Sequence, residues 1–459
     1  MTKFREEYDS LGMKEVPAQA YYGVQALRAA ENFKISGTKV HPEMIKAMAE
    51  VKKAAAIANK KAGVIDEKIA DAMVLACDEI LKGELTQHFI VDSIQGGAGT
   101  SLNMNANEVI ANRAIEILGG EKGDYSIVHP NDHVNCGQST NDAYPSAGKI
   151  ATVRLLMSAI EELRILHDTF IEKAENYSHI IKMGRTEMQD AVPISFGQVF
   201  HAYASAIRRD MNRFQLAIDE MAKLNMGGTA VGTGINADRR YIETVVPVLA
   251  EITNLPLVQA DDLVDATQNL DSFVYVSGIV KSCAATLSKI SNDLRLMSSG
   301  PRTGFAEINL MPKQNGSSIM PGKINPVIPE VMNQICFNII GNDTTITYAA
   351  EAGQLELNAF EPITFRCLFE SLDTLRNGVS IFIKDCVREI TVNPTQCRTH
   401  LDRSIGLVTA LCPYIGYTKA SKLAKQALCE DRNIRDIIIE ENLMTEEKID
   451  KVLDPGSMI

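Results

Sequence analysis

The feature that most constrains the fold is a proline-free stretch between Pro256 and Pro301, in which apolar residues recur at alternating spacings of three and four. These residues are Phe273, Val276, Val280, Cys283, Leu287, Ile290, Leu294 and Met297. This heptad pattern is typical of a long helix that buries one seam against neighbouring helices. About 25 residues make a helix of roughly 38 Å, which must be covered along its whole length. The pattern therefore predicts a bundle of long helices.

Other parts of the chain repeat this periodicity. Helical spacing runs through 142–175, and the segments 198–224 and 327–350 also indicate long helices. Short apolar runs bounded by turns, which strands would need, are weak and lie at Ile127-Val128 and in Val16–Tyr22. We therefore expect a mainly α fold in which any sheet is small.

Changes in pattern along the chain divide it into three regions. We expect an N-terminal, mixed but mostly helical domain over 1–139 and a central long-helix bundle over 140–392. A small C-terminal helical domain should follow over 393–459. Because the central helices are too long to be covered within one small globule, we expect them to form the core of an oligomer.

Charge and cysteine content exclude several classes of protein. The 46 Lys and Arg against 58 Asp and Glu give a net charge of −12 without a basic block, which argues against nucleic acid or an anionic membrane as partner. The first residues contain no apolar segment, so we expect a cytoplasmic protein. Nine cysteines without a Cys-x-x-Cys pair favour reduced, packed thiols over disulfides or a zinc site.

The loop 316–326 carries the most reactive combination of groups in the chain. It places the Ser317 hydroxyl, the Lys323 cation and the Asn325 amide between flexible glycines. Such groups can remove a proton from a carbon beside a carboxylate and stabilise the charge that results. We also expect Asn325 to cap a helix with Pro326 as its first residue, so that the loop meets a helix N-terminus that favours anions.

Three further polar segments interrupt the helical pattern, at Gln95–Ser101, Gly137–Asp142 and Gly184–Asp190. Each offers hydroxyls, amides and backbone N–H groups near a predicted helix start, which suits the binding of carboxylates. A single such segment is more often a structural cap or turn. Together with the loop 316–326, they indicate a site for a small carboxylate.

Three alternative kinds of site are less well supported. The glycine-rich segments Gln95–Ser101 and Gly227–Gly234 lack Gly-Lys-Ser/Thr and follow no convincing strand, which disfavours a phosphate site. His129 and His133 have metal-ligand spacing, but no further His or Cys cluster lies near them in sequence. A serine hydrolase would need a base to activate Ser317, and the motif Gly-x-Ser-x-Gly is absent around this serine. The sequence leaves open whether a His distant in the chain could be that base.

Several segments together closely resemble the fumarase/aspartase superfamily, over essentially the whole chain. They are Gly96–Asn105, His129–Asp132, Gln138–Asp142, Gly227–Asn236 and Gly316–Pro326. The resemblance implies a three-domain, mainly helical subunit whose central helices assemble into a homotetramer. It also implies that each active site is built from segments of three subunits.

The segments Ser139–Pro145, Ala350–Asn358 and Asn325–Val327 look like the aspartate ammonia-lyase branch of this superfamily. That branch implies reversible conversion of L-aspartate into fumarate and ammonia by anti-elimination, without an organic cofactor and with divalent-cation activation left open. The alternatives are a class II fumarase, acting on malate and fumarate, and a C–N lyase for an N-substituted aspartate. A non-catalytic protein on this scaffold is disfavoured because Ser317, Lys323 and Asn325 are all present.

The same resemblance assigns roles residue by residue. It makes Ser317 the general base that removes the Cβ proton and places Lys323 and Asn325 on the adjacent carboxylate. The residues that would hold the other carboxylate and the amino group are Thr100, Ser139, Thr140, Asn141 and Thr186. No metal ligands are implied.

Glu187 departs from the family pattern, which has His in fumarases and some aspartases and Gln in other aspartases. A carboxylate there would repel a dicarboxylate substrate unless it faces the ammonium group or is protonated. The family's pairing suggests Glu330 as a close neighbour that could exchange a proton with it. Amine recognition or proton relay is one interpretation of Glu187, and a bystander pointing away is the other.

Overall fold

The computed structural model describes residues 3–458, which are mainly helical. The helices are α1 (Val24–Asn32), α2 (Pro42–Ala62), α3 (Glu67–Leu81), α4 (Thr100–Ile117), α5 (Thr140–Asn176), α6 (Phe196–Met221), α7 (Arg239–Thr253), α8 (Leu263–Gln268), α9 (Asp271–Met297), α10 (Val327–Glu351), α11 (Glu361–Asp385), α12 (Pro394–Arg403), α13 (Cys412–Ile415), α14 (Tyr417–Glu430), α15 (Ile434–Glu440) and α16 (Glu446–Val452). The strands are β1 (Phe4–Asp9), β2 (Gly12–Pro17), β3 (Ile181–Thr186), β4 (Gln189–Ser195), β5 (Lys223–Leu224), β6 (Val258–Gln259), β7 (Ile308–Asn309) and β8 (Thr391–Val392).

The heptad seam forms the buried face of α9, as predicted. Its eight apolar residues are all buried, and the most exposed of them, Met297, has only 7% of its surface accessible. The helix has 27 residues. Continuous burial of the seam gives α9 most of its stability, because intrinsic helix propensity alone makes an isolated helix only marginally stable.

Helix α9 is also the one helix among residues 3–458 that is long and apolar enough to cross a membrane, judged by length and composition. Half of its most apolar window is buried inside the protein. The core helix of a soluble protein passes the same test, so the apolar character of α9 is explained by packing.

The other predicted long helices are present. Helix α5, with 37 residues, covers the predicted segment 142–175, while α6 and α10 cover most of 198–224 and 327–350. Polar residues cap several helix starts, as Asp66 does at α3 by accepting the N–H groups of Lys68 and Ile69.

The strands form only small two-stranded sheets. The pairs β1–β2, β3–β4 and β7–β8 are antiparallel, and β5–β6 is parallel. Val16 lies in β2, in agreement with one weak sequence signal. The other signal was wrong: Ile127-Val128 lies in a turn, because two apolar residues without alternation can be buried as well by a turn as by a strand.

The described chain divides into two compact units. The first consists of 1–160, 212–282 and 338–375, and the second of 161–211, 283–337 and 376–459. Each unit therefore combines three segments that are distant in sequence. The predicted boundaries at 139 and 392 stay a prediction.

The end of the chain has a core of its own within the second unit. Its buried residues include Leu411, Ile437, Ile438 and Ile449, contributed by short helices after residue 404. This cluster explains why the sequence pattern changes there, since short helices need only short apolar stripes.

The seam predicts the cost of truncating one of its residues. Replacing the fully buried Leu287 by Ala should lower the free energy of unfolding by about 2–5 kcal/mol, because it removes apolar contacts and leaves a cavity. Leu296→Ala is the matched control on the same helix, since that side chain is 37% exposed and should cost clearly less. Thermal and denaturant unfolding would measure both variants. Equal losses would contradict the assignment of the seam to the core.

Candidate active site

The start of α5 is a reciprocal capping box. The Ser139 hydroxyl oxygen accepts the N–H of Asn141 at 3.2 Å, and the Asp142 carboxylate accepts the N–H of Ser139 at 2.8 Å. Such a box satisfies backbone donors that have no partner in the first helical turn. It therefore fixes the predicted binding residues Ser139 and Asn141 to the helix end.

A proline inside the same helix start gives a second constraint. Pro145 has no N–H, so the carbonyl of Asn141 lacks its usual helical partner four residues on. The Asn225 side-chain amide donates to this carbonyl at 2.9 Å and takes the place of the absent N–H. The Asn141 amide in turn donates to the carbonyl of Ala230 at 2.7 Å. Asn141 is thus held by its backbone and by its side chain.

The buried Asp142 carboxylate joins this helix start to the glycine-rich segment 227–234. Its second oxygen accepts the N–H groups of Gly227 and Thr229, both at 3.0 Å. Burial raises the pKa of Asp142 to about 6, while the accepted N–H groups and the nearby Lys52 charge act in the opposite direction. The glycine-rich segment therefore serves here to close around a carboxylate of the protein itself.

A buried polar network lies beneath Thr140. The Asn103 amide donates to the Thr140 hydroxyl oxygen and to the Asn135 side-chain oxygen, each at 3.1 Å. The ammonium of Lys52, which is fully buried, donates to the side-chain oxygens of Asn135 at 3.0 Å and of Gln138 at 2.9 Å. Burial lowers the pKa of Lys52 to about 7. These bonds hold the segment that leads into α5.

Thr100 lies at the start of the neighbouring helix α4. Its hydroxyl donates to the carbonyl of Gly97 at 2.7 Å, and its side chain is exposed. Gly99 precedes it at φ 90°, and a Cβ there would lie 2.4 Å from the ring of Tyr144, so only glycine fits. Since Asn103 on α4 contacts Thr140 on α5, the two helix starts are adjacent. The dipoles of these two helix starts favour an anion.

Thr186 and Glu187 lie at the tip of the β3–β4 hairpin, in the second unit. Thr186 pairs with Gln189, so Glu187 and Met188 form a two-residue turn, with φ of 52° and 68°. Positive φ at both positions is the geometry of a type I′ hairpin turn, which normally selects Asn or Gly. The Glu187 side chain is exposed and makes no hydrogen bond or ion pair within residues 3–458.

The predicted loop 316–326 closes on itself. The N–H of Gly316 donates to the carbonyl of Lys323 at 3.0 Å, and the Asn325 amide donates to the carbonyl of Gly316 at 2.8 Å. A Cβ at Gly316 would lie 2.3 Å from the Lys323 carbonyl oxygen, which explains the glycine. The predicted helix start was wrong by one residue. Helix α10 begins at Val327, because the Asn325 amide closes the loop.

The Ser317 hydroxyl lies inside this closed loop. Its oxygen accepts the N–H groups of Ile319 at 3.2 Å and Met320 at 2.9 Å. Two donors directed at one oxygen stabilise a negative charge on it. Lys323 is exposed, and its ammonium has no hydrogen bond or ion pair in the described part of the chain.

The structure brings some predicted site residues together within each unit and leaves others apart. The first unit gathers Ser139, Thr140 and Asn141 at one helix start beside that of Thr100, and the second closes Ser317, Lys323 and Asn325 into one loop. Glu330 is partly buried in the first turn of α10. No hydrogen bond or ion pair joins it to Glu187 within residues 3–458.

Sequence reasoning missed the residues that support this arrangement, namely Lys52, Asn103, Asn135, Asp142 and Asn225. Lys52 follows Val51 in an alanine-rich helix, where a lysine is far more often exposed. Asn225 stands 80 residues after the proline that it compensates for. The one available signal was the spacing of Ser139 and Asp142, which is that of a capping box.

Comparison with known proteins identifies the family. A family described as lyase matches residues 12–341, and one described as the fumarase C C-terminus matches 407–459. Aspartate ammonia-lyases of Bacillus sp and Bacillus subtilis (strain 168) are each 50% identical, covering 100% and 99% of this chain and 98% and 96% of theirs. That of Escherichia coli (strain K12) is 47% identical, covering 99% of this chain and 96% of its own.

Solved structures agree with this. A fumarate lyase:delta crystallin from Brucella melitensis, bound to cobalt, has a TM-score of 0.97 at 46% identity, with 99% of both chains covered. A recombinant class II fumarase from Schistosoma mansoni has a TM-score of 0.96 at 35% identity, again with 99% of both chains covered. The fold and the helix-end segments thus define a lyase of the fumarase/aspartase superfamily. Within it, the chain belongs to the aspartate ammonia-lyase family of carbon–nitrogen lyases.

The capping box gives a prediction for Asp142. Asp142→Asn should lower the free energy of unfolding by about 1–3 kcal/mol, because the amide group cannot accept all three N–H groups, two of which form buried hydrogen bonds. Asp66→Asn is the control: Asp66 caps α3 from an exposed position, and Asn caps equally well. Thermal unfolding of both variants would test this. A loss for Asp142→Asn no larger than the control's would contradict it.

Proposed function

We propose that this protein converts L-aspartate reversibly into fumarate and ammonia by anti-elimination, with Ser317 as the base that removes the Cβ proton. The observation that carries the proposal is the Ser317 oxygen, which accepts two backbone N–H groups in a closed loop beside the unpaired Lys323. A serine becomes an effective base only where its oxyanion is stabilised. The loop supplies that stabilisation without a histidine.

Proton removal places negative charge on the carboxylate next to Cβ, as an enediolate. Lys323 supplies a full positive charge to this carboxylate, and Asn325 supplies an N–H. One amide hydrogen of Asn325 is already engaged with Gly316, which leaves the second for the substrate and fixes the orientation of the group. Interactions that strengthen as this charge grows lower the barrier.

The two helix starts suit the other end of the substrate. The oxygens of Ser139 and Thr140 already accept hydrogen bonds, so their hydroxyl hydrogens are available to donate to a carboxylate. Thr100 uses its hydrogen on Gly97, so its oxygen can accept from the ammonium group. We propose that Asn141 and Thr186 complete this binding set.

Collapse of the enediolate then breaks the C–N bond. The electron pair of that bond leaves with nitrogen as ammonia, and the new C=C bond completes fumarate. The substrate is a small dicarboxylate, and the family is generally cofactor-independent. Activation by a divalent cation remains part of the proposal. No group of three or more His, Cys, Asp or Glu side chains suited to a metal ion occurs in the described residues.

We propose that the protein works as a cytoplasmic homotetramer in which three subunits contribute to each site. Helix α10 supports this, because it exposes large apolar residues along its length, including Phe337 at 61% and Tyr348 at 70%. Val331 and Ile340 are exposed on the same helix. Exposed apolar side chains of this kind are usually covered by other helices, as in a bundle that packs against its copies.

Two related activities remain as alternatives within the family. A class II fumarase would act on L-malate, but the solved class II fumarase is 35% identical to this chain, against 50% for two aspartate ammonia-lyases. A lyase that releases a substituted amine from an N-substituted aspartate is favoured by the unusual carboxylate of Glu187 at the exposed hairpin tip.

Removal of the proposed base tests the mechanism. Ser317→Ala should reduce kcat for L-aspartate by about 10³-fold, since general-base catalysis is lost, while unfolding and assembly stay unchanged. Ser318→Ala changes an exposed neighbour in the same loop and should retain most activity. Fumarate absorbance follows the reaction. Near-normal turnover by an assembled Ser317→Ala would exclude Ser317 as the base.

The substrate is tested with the unmodified protein. Parallel incubation with L-aspartate, L-malate and N-substituted aspartates should give fumarate fastest from L-aspartate. Faster release from L-malate or from an N-substituted aspartate would replace the proposed activity by the corresponding alternative. No fumarate from any of them would favour a non-catalytic protein.

The role of Glu187 gives a separate prediction. Glu187→Gln should alter both the pH–rate profile with L-aspartate and the relative rates with N-substituted aspartates, because a charge facing the amine is removed. Glu447→Gln removes an exposed carboxylate on α16 that makes no ion pair within residues 3–458, and it controls for general charge effects. If both variants keep the unmodified pH profile and amine preference, Glu187 is a bystander.

A further inference from the structure

The strand β3, which leads to Thr186 at the hairpin tip, is held by a buried ion cluster. Arg185, the residue before Thr186, donates to the Glu307 carboxylate at 2.7 Å, and its guanidinium lies 4.2 Å above the ring of Phe305. The Glu307 side chain is completely buried. An arginine held both by a buried carboxylate and by an aromatic ring has little freedom to move.

The same carboxylate contacts two more basic side chains. The ammonium of Lys182, which lies on β3 like Arg185, is 3.1 Å from Glu307, and the ring of His400 is 3.2 Å from it. Glu307 thus holds β3 at two points, one at the start of the strand and one next to its tip. His400 lies on α12, so its contact with Glu307 ties the cluster to that helix, and its ring also contacts Gln396 of the same helix at 2.9 Å.

An irregularity in the hairpin directs Arg185 to this cluster. The pairing register of β3 and β4 shifts between Met183 and Arg185. A Cβ at Gly184 would lie 2.6 Å from the carbonyl oxygen of Val192, so the close approach at the shift requires glycine. Irregularities of this kind commonly re-aim a side chain.

The tip itself has little else to hold it. Glu187 and Met188 have positive φ without being glycines, a conformation that costs free energy and persists only where the surrounding structure enforces it. Both side chains are exposed. A cavity of about 820 Å³ lies along the hairpin, lined by Thr186 and Met188 among others. We therefore attribute the constraint on the tip to the ion cluster that holds Arg185.

We propose that Glu307 is a positioning residue for the lyase reaction, acting through Arg185 to fix Thr186 and Glu187 for substrate. This inference rests on the proposed function for the role of those two residues. The negative charge of Glu307 is essential to it. A neutral side chain would leave Lys182 buried without an anion. Arg185 would keep only the Asp190 carboxylate, 3.9 Å from its guanidinium, so both cations would move toward water.

A double-mutant cycle tests the coupling. Glu307→Gln and Thr186→Ala should each lower kcat/KM for L-aspartate, Glu307→Gln by about 10²-fold, because a small displacement of a binding group is costly. The double variant should be little worse than the more damaged single variant, since both changes remove the same function. Independent, multiplicative losses would overturn the proposal.

A measurement without substrate separates this inference from the proposed activity. Hydrogen–deuterium exchange of 185–190 should rise in Glu307→Gln relative to the unmodified protein. The control is Asp343→Asn, which breaks the ion pair of the buried Asp343 with the half-exposed Lys281 in the first unit and should leave the hairpin unchanged. Unchanged exchange in Glu307→Gln would overturn the positioning role. A protein that makes no fumarate but shows the exchange difference would refute only the activity.

If Glu307→Gln fails to fold, Arg185→Lys provides the second variant. Lysine keeps the charge but cannot stack on Phe305 or reach Glu307 with a planar group. Hydrogen–deuterium exchange of the hairpin should then rise, and kcat/KM for L-aspartate should fall. Combining Arg185→Lys with Thr186→Ala should lower kcat/KM by less than the product of the two single losses. Wild-type exchange in Arg185→Lys would contradict the proposal.

Discussion

The fold depends first on the burial of long helices, whose apolar faces need neighbouring helices along their whole length. Helix α9 buries a heptad seam over 27 residues, and α5 is longer still. Long helices that pack side by side use their apolar faces along their whole length, so polar groups collect at the helix ends and in the connecting loops. The candidate site residues occur at such places, at the starts of α4 and α5 and in the loop before α10.

Helix starts also carry backbone N–H groups without partners, and the chain satisfies them with specific side chains. The Asp142 carboxylate accepts the N–H of Ser139 at the start of α5 and also the N–H groups of Gly227 and Thr229 in the glycine-rich segment. The Asn225 amide pairs with the carbonyl left unpaired by Pro145. Burial makes each of these bonds costly to lose. The result is a rigid frame in which the hydroxyl oxygens of Ser139 and Thr140 accept hydrogen bonds from the protein, so that their hydrogens can be donated to a ligand. This frame is what makes a helix start usable for binding a carboxylate.

Much of the fold could be predicted from the sequence, because helical periodicity is a local signal. The seam of α9 and the long helices α5, α6 and α10 were all predicted, whereas the two-residue strands left no periodicity to detect. In the site, Ser317 and Lys323 could be named from the motifs alone, although their roles remain proposals. Lys52 and Glu307 could not be named, since only tertiary contacts show that these charged residues are buried.

The sequence by itself determined the helical class, the family and the residue types at the candidate site, since each depends on local pattern or motif. Tertiary structure alone decided which hydrogen-bonding groups pair with one another. Asn325 illustrates the difference: its position before a proline predicted a helix cap, yet its amide closes the loop on Gly316. A side chain with several acceptable partners takes the one that folding brings within hydrogen-bond distance, and that choice depends on packing far from it in sequence.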